Sequence, residues 1–171
     1  ALEMSDAKSN FLTKHLNIFI DGDIEESFVT IDDLRQGKIA EEDFDWDGRE
    51  VYLGIDLAET VDNTAVSMVY YDNDEDKFYT KCWSFIPQEK ATEKSKRERI
   101  NYFLMRDKGW AFLCGDRVIS QRFVEDYVLG IEKKYNVIVK GIGYDRRNAI
   151  SSVNRFIDEG DYECIEVRPN I

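Results

Sequence analysis

Val51-Tyr52-Leu53-Gly54-Ile55-Asp56-Leu57-Ala58 reads as a buried strand that delivers an aspartate at its end, and Lys140-Gly141-Ile142-Gly143-Tyr144-Asp145 repeats the arrangement. Val51, Leu53, Ile55 and Leu57 alternate with the period of a strand that has one face in a core. A carboxylate at the tip of an apolar run is costly to desolvate unless a cation holds it. If the two strands are neighbours, Asp56 and Asp145 face one another as half of a divalent-metal site. The plainer role of such a residue is a turn or helix cap, which Asp145-Arg146-Arg147-Asn148 would also suit. Two such tips in one topology favour the metal.

The flanking pattern supplies that topology. Thr64 to Tyr71 and Lys77 to Ile86 are β-rich runs separated by the turn Asp72-Asn73-Asp74-Glu75-Asp76, so three strands form an antiparallel meander that Pro87 ends. Thr92 is expected to cap a basic helix running to about Lys108, with Ile100, Phe103 and Leu104 inward and Gly109 as its stop. Trp110 to Leu113 is a short apolar run. Ser120 is expected to cap a helix that stacks Phe123, Tyr127 and Ile131 beside Val124 and Val128. Val137 to Tyr144 is a strand of the kind buried on both faces. Asn148 to Glu159 is helical, with Ala149, Val153, Phe156 and Ile157 on one stripe and Gly160 as its stop. Tyr162 to Val167 is a last strand. This order predicts an α/β fold with a ribonuclease H-like mixed sheet: three antiparallel strands, then parallel strands with helices on the faces. Its first strand is central, which sets Asp56 beside Asp145.

Composition narrows the class. The 171 residues suit one domain with an appendage, and 43% hydrophobic content suffices for a core. No apolar run approaches the roughly 20 residues that span a bilayer, so no membrane association is expected. Cys82, Cys114 and Cys164 are too scattered for a disulfide framework or zinc site and are expected to be buried free thiols of a reducing compartment. Net charge is −12, but residues 1–50 hold 14 acids against 5 bases while residues 51–171 hold 21 against 18. The acidic excess thus belongs to residues 1–50, which read as a connector preceding a catalytic domain at 51–171. Within the connector, Phe28, Val29, Ile31 and Leu34 are expected to dock a short strand and turn. The start at Ala1 suggests a piece of a longer protein. His15 is the single histidine, which removes histidine triads, and no GxxxxGK[ST] loop is present.

Hard cations such as Mg²⁺ take one or two carboxylates together with water and substrate phosphate. A pair of ions about 3.5–4 Å apart can activate a water and stabilise the leaving oxygen of a phosphodiester. Asp56 is the expected bridging ligand and Asp145 its partner, with Glu59 and Asp62 as supporting acids in the following loop or as plain turn residues. The run from Lys90 to Lys108 contains Lys94, Lys96, Arg97 and Arg99, candidates to track a DNA backbone or to form a solvated helix face. Arg146 and Arg147 are candidates for phosphate contact beside the metals. Trp83, Trp110 and the tyrosines are expected in the core.

With these residues in hand, the chain resembles the nuclease domain of tailed-phage terminase large subunits, in the branch typified by phage HK97. The resemblance is carried by Phe11-Leu12-Thr13-Lys14-His15-Leu16-Asn17, Val51 to Asp62, Trp83-Ser84-Phe85-Ile86-Pro87, and Gly143-Tyr144-Asp145-Arg146-Arg147-Asn148-Ala149. It implies metal-dependent endonucleolytic cutting of concatemeric double-stranded DNA with Mg²⁺ or Mn²⁺, two ions in the complete domain. It further implies an upstream ATPase domain, a small terminase subunit and a portal protein as partners, and the cytoplasm of an infected bacterial host. In that family a third metal aspartate follows the last strand, in a segment this chain lacks. The nuclease domain is therefore expected to be C-terminally incomplete and the fragment weakly active or inactive. The competing readings are a non-catalytic docking module of the same fold and an actin- or sugar-kinase-like ATPase. The second is disfavoured because Glu59 and Asp62 would stand where phosphate must bind.

Overall fold

In the computed structural model, residues 31–40, 43–58, 62–146 and 148–168 are described. The chain divides into two units between Asp45 and Trp46. In the first, Ile31–Gln36 is a helix (α1) with Asp32 and Asp33 in its first turn and Arg35 in its last, signs that suit the helix dipole. Arg35 pairs with Asp32 at 3.0 Å. The expected strand-and-turn is therefore helical where it is described, and Leu34 is exposed; Phe28 and Val29 lie outside the described residues, as does His15.

The second unit is a six-stranded mixed sheet: β1 (Glu50–Asp56), β2 (Thr64–Asp72), β3 (Lys77–Ile86), β4 (Ala111–Leu113), β5 (Ile138–Tyr144) and β6 (Cys164–Glu166). Their spatial order is β4-β3-β2-β1-β5-β6. β1 pairs antiparallel with β2 and parallel with β5, while β4 and β6 add parallel at the two edges. The expected mixed sheet, with its first strand inside and the later long strand beside it, is what the chain forms.

One face of the sheet is the core. Val51, Leu53 and Ile55 of β1, Val66 and Met68 of β2, Trp83 and Phe85 of β3 and Ile142 of β5 are buried there. Over them lie α4 (Gln121–Leu129), α5 (Ile131–Tyr135) and α6 (Ile150–Gly160), which contribute Val124, Val128, Ile131, Val153 and Phe156. Ser120 caps α4 as expected, accepting from the Phe123 N–H at 3.3 Å. The inward stripe of α4 is Val124 and Val128, whereas Phe123 is partly exposed. On α6, Ile157 likewise turns outward, and the helix ends at Asp161 in the left-handed region. Trp110 is also partly exposed, unlike the core residue Trp83.

Arg155 joins α6 to α4. Its guanidinium lies 3.0 Å from Glu125, 2.7 Å from Asp126 and 2.8 Å from Glu159, and Ser152 donates to Glu125 at 2.7 Å. A fork shared by three carboxylates is a use that an ammonium cannot reproduce. Arg155→Ala is expected to lower the thermal midpoint by on the order of 5 °C, with Arg155→Lys recovering only part of it. Equal midpoints for Arg155→Lys and the parent in a calorimetric scan would refute the role of the fork.

The other face carries a shorter helical cover. α2 (Ala91–Glu98) and α3 (Tyr102–Asp107) follow a 3-10 turn at Gln88–Lys90. Tyr102 is buried with Ile86 of β3 and Ala111 of β4, with Met105 packed against them. The single helix expected from Thr92 to Lys108 is thus two. Arg99 sits in the left-handed region (φ 56°), and Asn101 caps α3 by accepting from the Leu104 N–H at 3.0 Å. The break rotates the inward stripe: Tyr102 goes in, and Ile100, Phe103 and Leu104 are left partly exposed. Gly109 (φ 73°) ends α3 as expected. No helix among the described residues is long and apolar enough to cross a membrane.

Candidate functional site

The parallel pairing of β1 with β5 aligns Leu53 with Ile142, Gly54 with Gly143 and Ile55 with Tyr144. The next residue on each strand is an aspartate, Asp56 on β1 and Asp145 just beyond β5. Strand side chains alternate between faces. Val51, Leu53 and Ile55 face the core, so Asp56 faces the other side with Gly54. On β5, Val139 and Ile142 are both buried although three residues apart. The register shift between Val51 and Tyr52 accounts for this: Val139 pairs with Val51, but Gly141, not Lys140, pairs with Tyr52. The extra residue reverses the phase of β5. Without it, Ile142 would leave the core and Asp145 would point to the opposite face from Asp56.

With the shift in place, Asp56 and Asp145 line one open cleft of about 420 Å³ with Gly54, Ala65, Ser67, Cys82, Gly143 and Val167. Both carboxylates are exposed. The floor between them is kept low by glycine. A Cβ on Gly54 would stand 2.7 Å from the Ser67 Oγ, and one on Gly143 would stand 3.3 Å from the Val167 Cγ2. Glycine inside a strand is the sequence mark of such close approach, a signal that the opening motifs carry at both positions.

The other expected residues are placed as follows. Asp62 is exposed and does not line the cleft among the described residues; its charge acts on Arg97, helping to raise the guanidinium's pKa after the larger effect of the hydrogen bond to Glu98. Glu59 and Arg147 lie outside the described residues. Arg146, Lys96, Arg97 and Arg99 are exposed. Lys94 departs from the DNA-contact expectation: it is 3% exposed and its ammonium lies 3.1 Å from the Glu98 carboxylate, which removes it from reach of a phosphate. Cys82 is exposed in the cleft rather than buried, Cys114 is buried and Cys164 is partly so, all three as free thiols.

Sequence reasoning did not find the polar group behind the strand tip. Thr64 Oγ1 accepts from the Ala58 N–H at 2.9 Å and donates to the Ala58 carbonyl at 3.0 Å. Asn63 Nδ2 donates to the Tyr102 hydroxyl at 2.8 Å, and that hydroxyl donates to Glu98 at 2.5 Å. Burial first, then the Glu98 carboxylate, pushes the Tyr102 phenol up to about 12. Burial opposes ionisation of Glu98, but hydrogen bonds from Tyr102, Arg97 and Lys94 outweigh it and hold its carboxyl below the usual range.

Among the described residues no group of three or more His, Cys, Asp or Glu side chains could hold a metal ion. The charged donors in the cleft are two carboxylates, which fit a hard divalent cation sharing its remaining positions with water and phosphate, while the one thiol there, Cys82, is held in its protonated form by desolvation. A soft or borderline metal would call for thiolate or imidazole ligands.

A family model described as "Terminase large subunit, endonuclease domain" matches residues 2–171. Among solved structures, the fold is similar to that of the large terminase of bacteriophage HK97, with a TM-score of 0.61 and 19% sequence identity over 73% of this chain and 26% of that one. The chain therefore spans about a quarter of the length of that protein. No curated protein sequence matches it significantly.

Proposed function

We propose, for a chain that belongs to the terminase large-subunit endonuclease family, that Asp56 and Asp145 hold the divalent cations with which double-stranded DNA is cut. The observation that carries this reading is the shared cleft: two carboxylates from distant parts of the chain, at the ends of adjacent parallel strands and on the same face. Mg²⁺ or Mn²⁺ bound there, one ion or two, would supply an activated water and charge stabilisation for the leaving oxygen. Asp56 at the end of the inner strand and Asp145 just beyond β5 would hold the ion or ions between them. The glycine floor at Gly54 and Gly143 lets a sugar-phosphate backbone approach the carboxylates. Arg146, Lys96, Arg97 and Arg99 are exposed cations for phosphates on either side of the cut, and so few of them against a net charge of −12 make that binding weak. Processing of concatemeric DNA, the portal and small-subunit partners and the host cytoplasm follow for the whole terminase on the same reading.

The test is a thermal unfolding series of this chain with Mn²⁺, Mg²⁺ and EDTA. A cation that binds only the folded state stabilises it by about 2.7 kcal/mol at a hundredfold excess over its dissociation constant, and the shift should reverse with EDTA. Cleavage of supercoiled plasmid should be slow with Mn²⁺ and slower with Mg²⁺, since only two carboxylates line the cleft among the described residues. A midpoint indifferent to Mn²⁺ would overturn the proposal in favour of a docking module.

A further inference from the structure

We propose, resting on the cation-site reading above, that the half-buried chain Lys94–Glu98–Tyr102–Asn63 is a positioning device for the strand tip that carries Asp56. Each link is short. Lys94 Nζ lies 3.1 Å and Arg97 Nη2 2.7 Å from Glu98 Oε1, the Tyr102 hydroxyl donates to Glu98 Oε2 at 2.5 Å, and Asn63 Nδ2 donates to Tyr102 at 2.8 Å and to Ser84 Oγ at 3.4 Å. Asn63 adjoins Thr64, whose hydroxyl clamps both backbone groups of Ala58, two residues after Asp56. The side-chain links thus run from α2 through α3 to Asn63, and the backbone carries them on to Thr64, which faces the core and holds the end of β1.

Three features separate this group from ordinary packing. Lys94 and Tyr102 are 3% and 2% exposed, and a buried ion pair is seldom more stabilising than apolar side chains of the same volume. What a polar chain adds is direction. The Tyr102 proton is committed to the Glu98 carboxylate, so the phenol oxygen can only accept from Asn63. That commitment orients the carboxamide with its NH₂ inward and leaves Asn63 Oδ1 buried without a partner, an arrangement that costs stability and persists because the charge at Glu98 dictates it. A basic segment and the tip of the inner strand are thereby held in one register.

The test compares Tyr102→Phe with Tyr162→Phe in this chain. Tyr162 is a buried tyrosine that bonds Glu132 and precedes β6, at the opposite end of the parallel strands from Asp56. In metal-free protein, amide exchange at Ala58 and Thr64 should quicken by roughly tenfold in Tyr102→Phe and stay unchanged in Tyr162→Phe. The Mn²⁺ dissociation constant should rise by roughly tenfold in the first and not in the second. Unchanged exchange at Ala58 in Tyr102→Phe, or equal quickening in both variants, overturns the positioning role. If the parent binds no Mn²⁺, the cation-site reading fails, while the exchange comparison still decides whether the network holds the strand tip. Should Tyr102→Phe not fold, Glu98→Gln, which keeps an acceptor but removes the charge, carries the same comparison.

Discussion

Asp56→Asn is expected to abolish the Mn²⁺-dependent rise in the unfolding midpoint and to cut whatever plasmid cleavage the parent shows by about a hundredfold or more. The substitution keeps the volume and one oxygen but removes the charge that a hard cation needs. Asp56 is exposed at the strand end, so the metal-free fold should tolerate the change. In EDTA the variant should melt at about the parent's temperature, because an exposed strand-end carboxylate gives way to an amide of the same volume. Asp145→Asn should likewise abolish the Mn²⁺-dependent rise and the cleavage. The double variant should lose little more than either single one, since residues serving one ion act as a unit. These three results separate a ligand from a structural residue, which would lower the midpoint with and without metal. If Mn²⁺ stabilises Asp56→Asn as much as the parent, the carboxylate is not a ligand.

The juxtaposition behind that prediction was legible because it needed only two strand tips and a topology. Alternation at Val51, Leu53 and Ile55 and the order of strands and helices place β5 beside β1 without any knowledge of side-chain contacts. The face on which Asp145 emerges was not legible. It depends on the register shift opposite Val51 and Tyr52, and a uniform β-branched run such as Val137 to Val139 carries no mark of where a bulge will fall. The break between α2 and α3 was hidden for a related reason: periodicity over Thr92 to Lys108 scores a single helix, whereas Asn101 as a cap and the burial of Tyr102 against Ile86 and Ala111 decide for two. Lys94 was misread because a basic run predicts solvent exposure. Its burial follows from Glu98 one turn on and from Tyr102, a partnership visible only when α3 folds back. Cys82 was expected inside on its residue type, yet β3 alternates and puts it on the cleft face opposite Trp83.

Phe85→Ala is expected to be the most destabilising single change in the sheet, by about 3–5 kcal/mol, a large part of the roughly 5–15 kcal/mol that holds a domain together. Phe85 is fully buried on the core face of β3. Its ring lies 5.2 Å from that of Phe112 on β4 and 5.4 Å from that of Tyr127 on α4, with Phe123 at 6.2 Å. Truncation opens a cavity where the sheet edge meets its covering helix, and neighbours held by strand pairing cannot collapse into it. Trp83, two residues away on the same face, provides the contrast. Its indole packs against Tyr127 and Tyr135 at 5.3 and 5.5 Å, but its Nε1 is buried with no hydrogen-bond partner. An unmet donor costs about 1–3 kcal/mol, so Trp83→Phe gives up ring volume while removing that cost. Its net loss should stay below about 1.5 kcal/mol. Urea unfolding with unchanged slope measures both changes directly. Equal losses for the two variants would mean that the indole N–H is satisfied in solution and that volume alone sets the stability of this face.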